Sequence, residues 1–298
     1  MVKQHALFIY NPFSGDMPDK DDIIASICDH LSDYELWKTT GEKDGEKIKK
    51  LVKDGDYDLI LVGGGDGTIK MVAEALEGKK IKLLPIPFGS ANGLATCLGL
   101  KTWEDSLESL DKGSTIDMDL MDVNGQVSLH LSDFGLNAGM IKKFEDGDER
   151  GMVAYFKNSL SSLRDIKPYP FKIILRGKEE NVEAKMLIVA NGSKYGTGAT
   201  INPGSKMDDG IFEIIALNPN GLQEWLELTY GVMREDLSGL DFVRRWSADR
   251  VSIENSAEAP FHVDGEIVEV KNKVSFQLRD HKIKMYWHPE NHGYNPMD

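Results

Sequence analysis

Residues 59–68 read LILVGGGDGT, an apolar run that stops at three glycines, an aspartate, a fourth glycine and a threonine. Leu59, Ile60, Leu61 and Val62 suit a short parallel strand covered on both faces. Residues 69–76 then have helical character. A strand, a glycine turn and a helix start together present backbone N–H groups and a helix N-terminus to whatever sits at the turn, which favours an anion. Phosphate is the obvious candidate. Gly63, Gly64, Gly65 and Gly67 let the backbone approach a ligand with no Cβ in the way, Asp66 supplies a carboxylate and Thr68 a hydroxyl. The dinucleotide fingerprint does not fit, because its final glycine position is Thr68. Neither Gly78-Lys79 nor Gly177-Lys178 is followed by Ser or Thr, so there is no P-loop.

Working outward, residues 81–86 form another apolar strand, closed by a second glycine turn from Pro87 through Gly89, Ser90 and Asn92 to Gly93. Strand ends from neighbouring βα units of a parallel sheet meet on one edge, so both turns are expected to face one crevice. Upstream, residues 6–10 are a first strand running into Asn11-Pro12-Phe13-Ser14-Gly15, a sequence rich in turn formers. Helical spacing at 23–31 and 46–52, with a strand at 34–39 between them and a helix at 103–110, completes an alternation that implies a parallel α/β sheet.

From residue 114 the texture changes. Strand-like segments at 116–123, 127–134, 171–175, 184–190, 211–217, 251–254 and 274–278 predict a second, mainly β domain. Helices are expected at 152–163 and 222–233. Met152, Phe156, Leu160 and Leu163 share a helical face, which reads either as a core stripe or as the wall of an acyl-chain pocket. Val263-Asp264-Gly265-Glu266 is a turn bearing two carboxylates. His288 and His292 lie four apart, but Pro289 argues against a helix presenting both to one metal.

Formal net charge is −14 over 298 residues, which disfavours nucleic acid as a partner, and no concentrated basic run offsets it. The same charge weakens attraction to anionic lipid, so any membrane contact has to be local and partly apolar. Arg234, Arg244, Arg245 and Arg250 are either such a local patch or solvated surface charges. No apolar run approaches the roughly 18 residues of a membrane span, and the N-terminal run at 6–10 is too short for a signal peptide. A cytoplasmic protein with Cys28 and Cys97 as reduced thiols is expected.

Gly64-Gly65-Asp66-Gly67-Thr68 resembles the signature of the diacylglycerol kinase catalytic domain family, which takes in bacterial lipid kinases, sphingosine kinases and ceramide kinases; NAD kinases and phosphofructokinases carry similar turns. Further matches extend the resemblance. Asn11, Pro12, Ser14 and Gly15 lie in a segment similar to the family's Asn-Pro-x-x-Gly loop near the nucleotide, and Thr40 falls close to a family threonine that contacts it. Gly89, Ser90 and Asn92 match Pro-x-Gly-[ST]-x-Asn, with Gly93 where the commoner form has aspartate, a wording closer to sphingosine kinases. Phe134-Gly135-Leu136-Asn137-Ala138 and the glycine-rich loop at 191–198 also fit. Lys206-Met207-Asp208-Asp209-Gly210-Ile211 resembles the segment that holds a structural Mg²⁺ in bacterial relatives, through the Asp209 side chain and the Lys206 and Ile211 backbones. Asp264-Gly265-Glu266 matches the family's Asp-Gly-Glu, which makes Glu266 the expected general base and Asp264 its rival.

The resemblance implies a three-layer Rossmann-like α/β nucleotide-binding domain at 1–122, of the NAD kinase and phosphofructokinase kind, then a β-rich sandwich domain at 123–287, with the tail from about 288 packing back on the first. The active site is expected in the cleft between them. ATP and Mg²⁺ are the implied cofactors, with Asp66 at the phosphate and metal. The implied reaction is phosphorylation of a lipid hydroxyl, diacylglycerol to phosphatidic acid, at a membrane surface that the protein touches only peripherally. A sphingoid-base kinase is the alternative, followed by NAD kinase or a non-catalytic nucleotide-binding module. A homodimer is left open.

Overall fold

The computed structural model describes residues 5–136, 166–195, 198–269 and 272–288. The helix expected at 152–163, Asn137 and Ala138, Gly196 and Thr197, and the tail from Pro289 with His292 lie outside the described residues. The described chain divides into two compact units, residues 5–120 with 280–288 in one and Met121 to Arg279 in the other.

The first unit is built on a six-stranded sheet. Strands β1 (Ala6–Tyr10), β2 (Tyr34–Lys38), β3 (Leu59–Gly64) and β4 (Lys82–Pro87) pair in parallel in the order β2-β1-β3-β4. All six residues of β3 are buried, as its unbroken apolar run requires of a central strand. The connecting helices are α1 (Lys20–Asp29), α2 (Asp44–Asp54), α3 (Asp66–Ala75), the short α4 (Gly93–Cys97) and α5 (Trp103–Lys112). α5 shows its boundaries in sequence: the Thr102 hydroxyl accepts from the Asp105 amide, the Asp105 side chain accepts from the Thr102 amide, and Gly113 closes the helix at φ +68°.

The strand expected at 116–123 is two strands in two different sheets. β5 (Thr115–Met118) ends the first sheet and β6 (Met121–Val123) enters the second unit. The buried Asp119 at the break is met by Lys282 Nζ at 2.9 Å. A second correction concerns the C-terminal stretch. Residues 283–286, expected in the β domain, form β20 (Ile283–Tyr286), inserted between β4 and β5 in the first sheet. It runs parallel to β4 and antiparallel to β5, so the sheet is mixed. Ile283 and Met285 alternate inward like any half-buried strand, and alternation carries no label for the sheet a strand joins.

Among the described residues the second unit is a sandwich of two six-stranded sheets with one further short pair, β12 (Lys194–Tyr195) and β13 (Ala199–Thr200). One sheet contains β7 (Gln126–Ser128), β9 (Tyr169–Leu175), β10 (Lys178–Ala184), β16 (Arg250–Glu254) and β19 (Lys273–Leu278) besides β6. The other contains β8 (Leu131–Gly135), β11 (Met186–Ala190), β14 (Phe212–Leu217), β15 (Val243–Ala248), β17 (Phe261–Val263) and β18 (Glu266–Ile267). Phe134, Phe171, Phe261 and Phe276 fill the core between the sheets, with the Phe134 and Phe261 rings stacked at 4.2 Å. The second sheet is covered on its outer face as well, by α6 (Gly221–Met233), whose Trp225 and Leu228 pack on Ile188 and Ile215. That double cover explains why β11 and β14 are buried at every position while β19 alternates. The run expected as one strand at 184–190 breaks at the buried Lys185, whose ammonium donates to Pro219 O at 2.7 Å.

Candidate active site

In the first unit β1, β3 and β4 are adjacent and parallel, so the loops that follow them open on the same edge. Their glycines are required by close approach. A Cβ on Gly89 would lie 2.5 Å from Gly65 Cα, and one on Gly15 would lie 2.4 Å from Phe88 O with the backbone already at φ +60°. The three loops therefore touch backbone to backbone. Side chains fix the contact further. Asn11 accepts the Phe13 amide at 2.9 Å and its Nδ2 approaches Thr68 Oγ1 at 3.5 Å, while Lys20 Nζ donates to the carbonyls of Pro12 and Ser14. Asn92, in the left-handed region at φ +42°, accepts the Gly89 amide at 2.8 Å and donates back to Gly89 O at 2.7 Å.

Asp66 has a role that its position among glycines did not reveal. Its carboxylate accepts the amides of Gly93 at 2.7 Å and Leu94 at 2.9 Å, so the first residue of α3 caps the start of α4 and clasps the second glycine turn to the first. The N-cap of α3 is Gly65, which has no side chain to satisfy the first-turn amides. Amides of that kind, beside glycine backbone and the exposed Gly67 and Ser90, are the chemistry that favours an anion at a helix start.

Thr40, after β2, is exposed and tied to its own loop. Its hydroxyl donates to Asp44 at 2.8 Å and accepts from Lys47 Nζ at 2.8 Å. Asp44 also accepts the amides of Thr40 and Gly41, which organises the whole loop, and it is a residue that sequence reading missed. Burial by itself raises its pKa, but the hydrogen bonds from the Thr40 hydroxyl and the Thr40 and Gly41 amides, with Lys47 nearby, outweigh burial and hold it below the usual carboxylate range. A depressed pKa contributes stability that is present above the unfolded value, near 3.9, and is lost as pH falls through the folded value. Asp44→Asn is therefore expected to lower stability by about 2 kcal/mol at neutral pH, and the gap to wild type should narrow below about pH 4. Urea unfolding of both proteins at neutral and acid pH measures it.

In the second unit, β17 and β18 form a hairpin whose two-residue turn is Asp264 at φ +49° and Gly265 at φ +86°, both left-handed as a type I′ turn requires. The two carboxylates part ways here. Asp264 is buried and accepts the amides of Leu129 at 2.8 Å, His130 at 3.1 Å and Leu131 at 3.3 Å, besides the Ser128 hydroxyl at 3.2 Å. Glu266 is exposed. Behind the turn, His262 Nδ1 accepts the Gly265 amide at 3.2 Å, which places the proton of a neutral ring on Nε2. That nitrogen lies 2.9 Å from Asp133 Oδ2 and 2.8 Å from Tyr195 Oη. Asp133 and His262 are register partners in β8 and β17, so their meeting depends on a strand pairing that sequence periodicity does not specify.

Asp209 is exposed and accepts the Ile211 amide at 3.1 Å. The nearby Glu213 is buried, takes a 2.7 Å hydrogen bond from Asn202, and has its pKa raised by burial. Among the described residues no group of three or more His, Cys, Asp or Glu could hold a metal. Asp209 with the Lys206 and Ile211 carbonyls is too small a set for an all-protein cage. One carboxylate is compatible in chemistry with Mg²⁺, which commonly keeps several waters and takes one or two carboxylates. His288 sits beside Glu108, 3.2 Å away.

Comparison with known proteins matches the same two units. Residues 5–123 match the family profile of the diacylglycerol kinase catalytic domain, and residues 133–281 that of the YegS C-terminal NAD kinase beta sandwich-like domain. The chain is 27% identical over 276 residues to a diacylglycerol kinase of Bacillus subtilis (strain 168), covering 88% of this chain and 90% of that one. It is 25% identical to a Citrobacter koseri protein named "Probable lipid kinase YegS-like", over 88% and 89% of the two chains. A crystal structure of a diacylglycerol kinase from Bacillus anthracis str. Sterne superposes with TM-score 0.75 at 22% identity, over 96% of this chain and 97% of that one. An Archaeoglobus fulgidus NAD kinase shares the fold with TM-score 0.55 at 13% identity, over 96% and 95%. With an α/β unit and a β sandwich that both match, this chain belongs to the diacylglycerol kinase catalytic domain family of lipid kinases.

Proposed function

We propose that the protein transfers the γ-phosphoryl group of ATP to the hydroxyl of a lipid, with diacylglycerol as the acceptor and phosphatidic acid as the product. The observation that carries this reading is the pair of glycine turns brought into backbone contact and clasped by Asp66. Phosphoryl transfer asks a protein mainly for positioning and charge stabilisation. Asn11, Pro12, Ser14, Gly15, Gly64, Gly65, Gly67, Thr68, Gly89, Ser90 and Asn92 cradle the nucleotide, while Thr40 and Asp44 shape the loop beside it. Mg²⁺ on the phosphates supplies charge neutralisation when bound. Glu266 takes the proton of the attacking hydroxyl; Asp264, saturated by donors, holds the turn that carries it.

Diacylglycerol is favoured by the Bacillus subtilis relative, which carries that name and aligns along most of the chain. A sphingoid base is the second reading, because Gly93 replaces the aspartate of the commoner motif, a wording closer to sphingosine kinases, and its amide is one of the two that Asp66 holds. Radiolabelled ATP with a panel of diacylglycerol, sphingoid base, ceramide and NAD separates these. Label in NAD, or in none of the four, would overturn the proposal. The second unit also yields a metal prediction. If Asp209 is the side-chain ligand of a structural Mg²⁺, wild type should melt higher with Mg²⁺ in the absence of nucleotide, and Asp209→Ala should lose that increment. An unchanged increment in the variant counts against the site.

No helix among the described residues is long and apolar enough to cross a membrane. We take the protein to act in the cytoplasm and to meet its lipid at a membrane surface by peripheral contact.

A further inference from the structure

Helix α6 is apolar on two opposite faces. Trp225 and Leu228 face the sandwich, where they are 1% and 5% exposed. Leu222, Leu226, Tyr230 and Met233 are 39%, 52%, 60% and 78% exposed. At 100° per residue these four lie within an arc of roughly 80° and run for about 16 Å along the outer side, away from Trp225 and Leu228. Among the described residues that stripe stays exposed, although it is the side of a helix that a soluble protein ordinarily makes polar.

We infer that the outer face of α6 is the surface by which the protein docks on a lipid bilayer, with Leu222, Leu226 and Met233 entering the acyl boundary and Tyr230 at headgroup level. The inference rests on the lipid-kinase reading, because a substrate held in a bilayer obliges the enzyme to meet one. Its chemistry is that of an interfacial helix. Arg234 closes the stripe with its guanidinium 5.3 Å from the Tyr230 ring and a 3.0 Å hydrogen bond to the Tyr230 hydroxyl, an aromatic and a cation placed where apolar side chains give way to water.

The area of the stripe favours a bilayer over a second protein. The stripe is one side chain wide and offers on the order of 500 Å², below the roughly 800 Å² per partner of a stable protein interface. Charge also argues for apolar insertion, since α6 itself carries Glu224 and Glu227. Arg244 is paired with Glu180 and Arg245 with Glu213, and the whole chain carries −14. Attachment through anionic headgroups is thereby weakened, so docking draws on buried apolar area and should depend little on lipid charge or salt.

The test uses the full chain and phosphatidylcholine vesicles containing no substrate. Wild type is expected to float with the vesicles at low and high salt alike. Leu226→Glu with Met233→Glu should reduce the bound fraction by on the order of 10- to 100-fold while phosphorylation of a dispersed short-chain diacylglycerol is unchanged. Both positions are exposed, and a thermal melt checks that the variant folds. Wild-type flotation of the variant overturns the inference, as does binding that requires anionic lipid and vanishes with salt. A wild-type dimer that the substitutions dissociate would make a second copy the occupant instead, and also overturns it. Vesicle binding by a wild type that phosphorylates no lipid would leave this surface standing and sink the function proposed above.

Discussion

Asp66→Asn should lower kcat/KM by at least about 100-fold and the melting temperature by several degrees in the same protein. The carboxylate receives two amides, from Gly93 and Leu94, at 2.7 and 2.9 Å. An asparagine has one acceptor oxygen, so its NH₂ would face one of the two N–H groups as donor against donor. Losing charge-assisted bonds of this kind costs about 2 kcal/mol in a partly buried setting. The kinetic effect is larger because the bonds fix the second glycine turn against the first. A displacement of 1 Å in a positioning group can cost about 100-fold in rate. Calorimetry and steady-state kinetics on one preparation separate the roles. Lost activity with an unchanged melt would mean that Asp66 acts on the phosphates or their metal rather than as a clasp. Unchanged activity would remove it from the site altogether.

The clasp illustrates what one-dimensional reading reaches. The strand from Leu59 to Val62 and the glycine turn after it were legible, because a buried central strand and a turn without Cβ atoms each leave a local signature; the structure carries the strand two residues further, through Gly64. That two such turns share one edge followed from the parallel alternation. What Asp66 does with its oxygens did not follow, because its partners lie 27 and 28 residues away. Asp44 escaped for a different reason: an aspartate opening a helix is ordinary, and only its hydrogen bonds from Thr40 and Gly41 show that it organises that loop. The Asp133, His262 and Tyr195 cluster depends on β8 lying beside β17 and on the 191–195 loop reaching them, none of which is periodic information. The misplaced stretch at 283–286 has the same origin. A strand of four residues with one dry face fits many sheets, and here only the pairings with β4 and β5, between which it lies, decide.

Sequence alone also left Asp264 and Glu266 as rivals for one proton, and the two carboxylates lie in different environments. Asp264 accepts three amides and a hydroxyl in a site closed to solvent. A carboxylate so occupied cannot turn to a substrate hydroxyl without leaving those donors unpaired. Its amide variant is expected to lose about 3 kcal/mol or more of stability, and any loss of activity will follow from that. Glu266, across the turn and exposed, is the group we assign to the chemistry. Glu266→Gln keeps the size and the backbone pairing with Val263 but cannot take a proton at neutral pH. General-base help is typically worth about 100- to 10,000-fold, so kcat for lipid phosphorylation should fall within that range while ATP affinity and the melting temperature stay near wild type. Single-turnover phosphorylation and thermal melts of Glu266→Gln and Asp264→Asn, run together, test the division. A slow, fully stable Glu266 variant beside an unstable Asp264 variant supports it. A stable Asp264→Asn protein that has lost the chemical step, beside a Glu266→Gln protein that turns over normally, would reverse the assignment and require the Leu129 to Leu131 amides to release Asp264 during turnover.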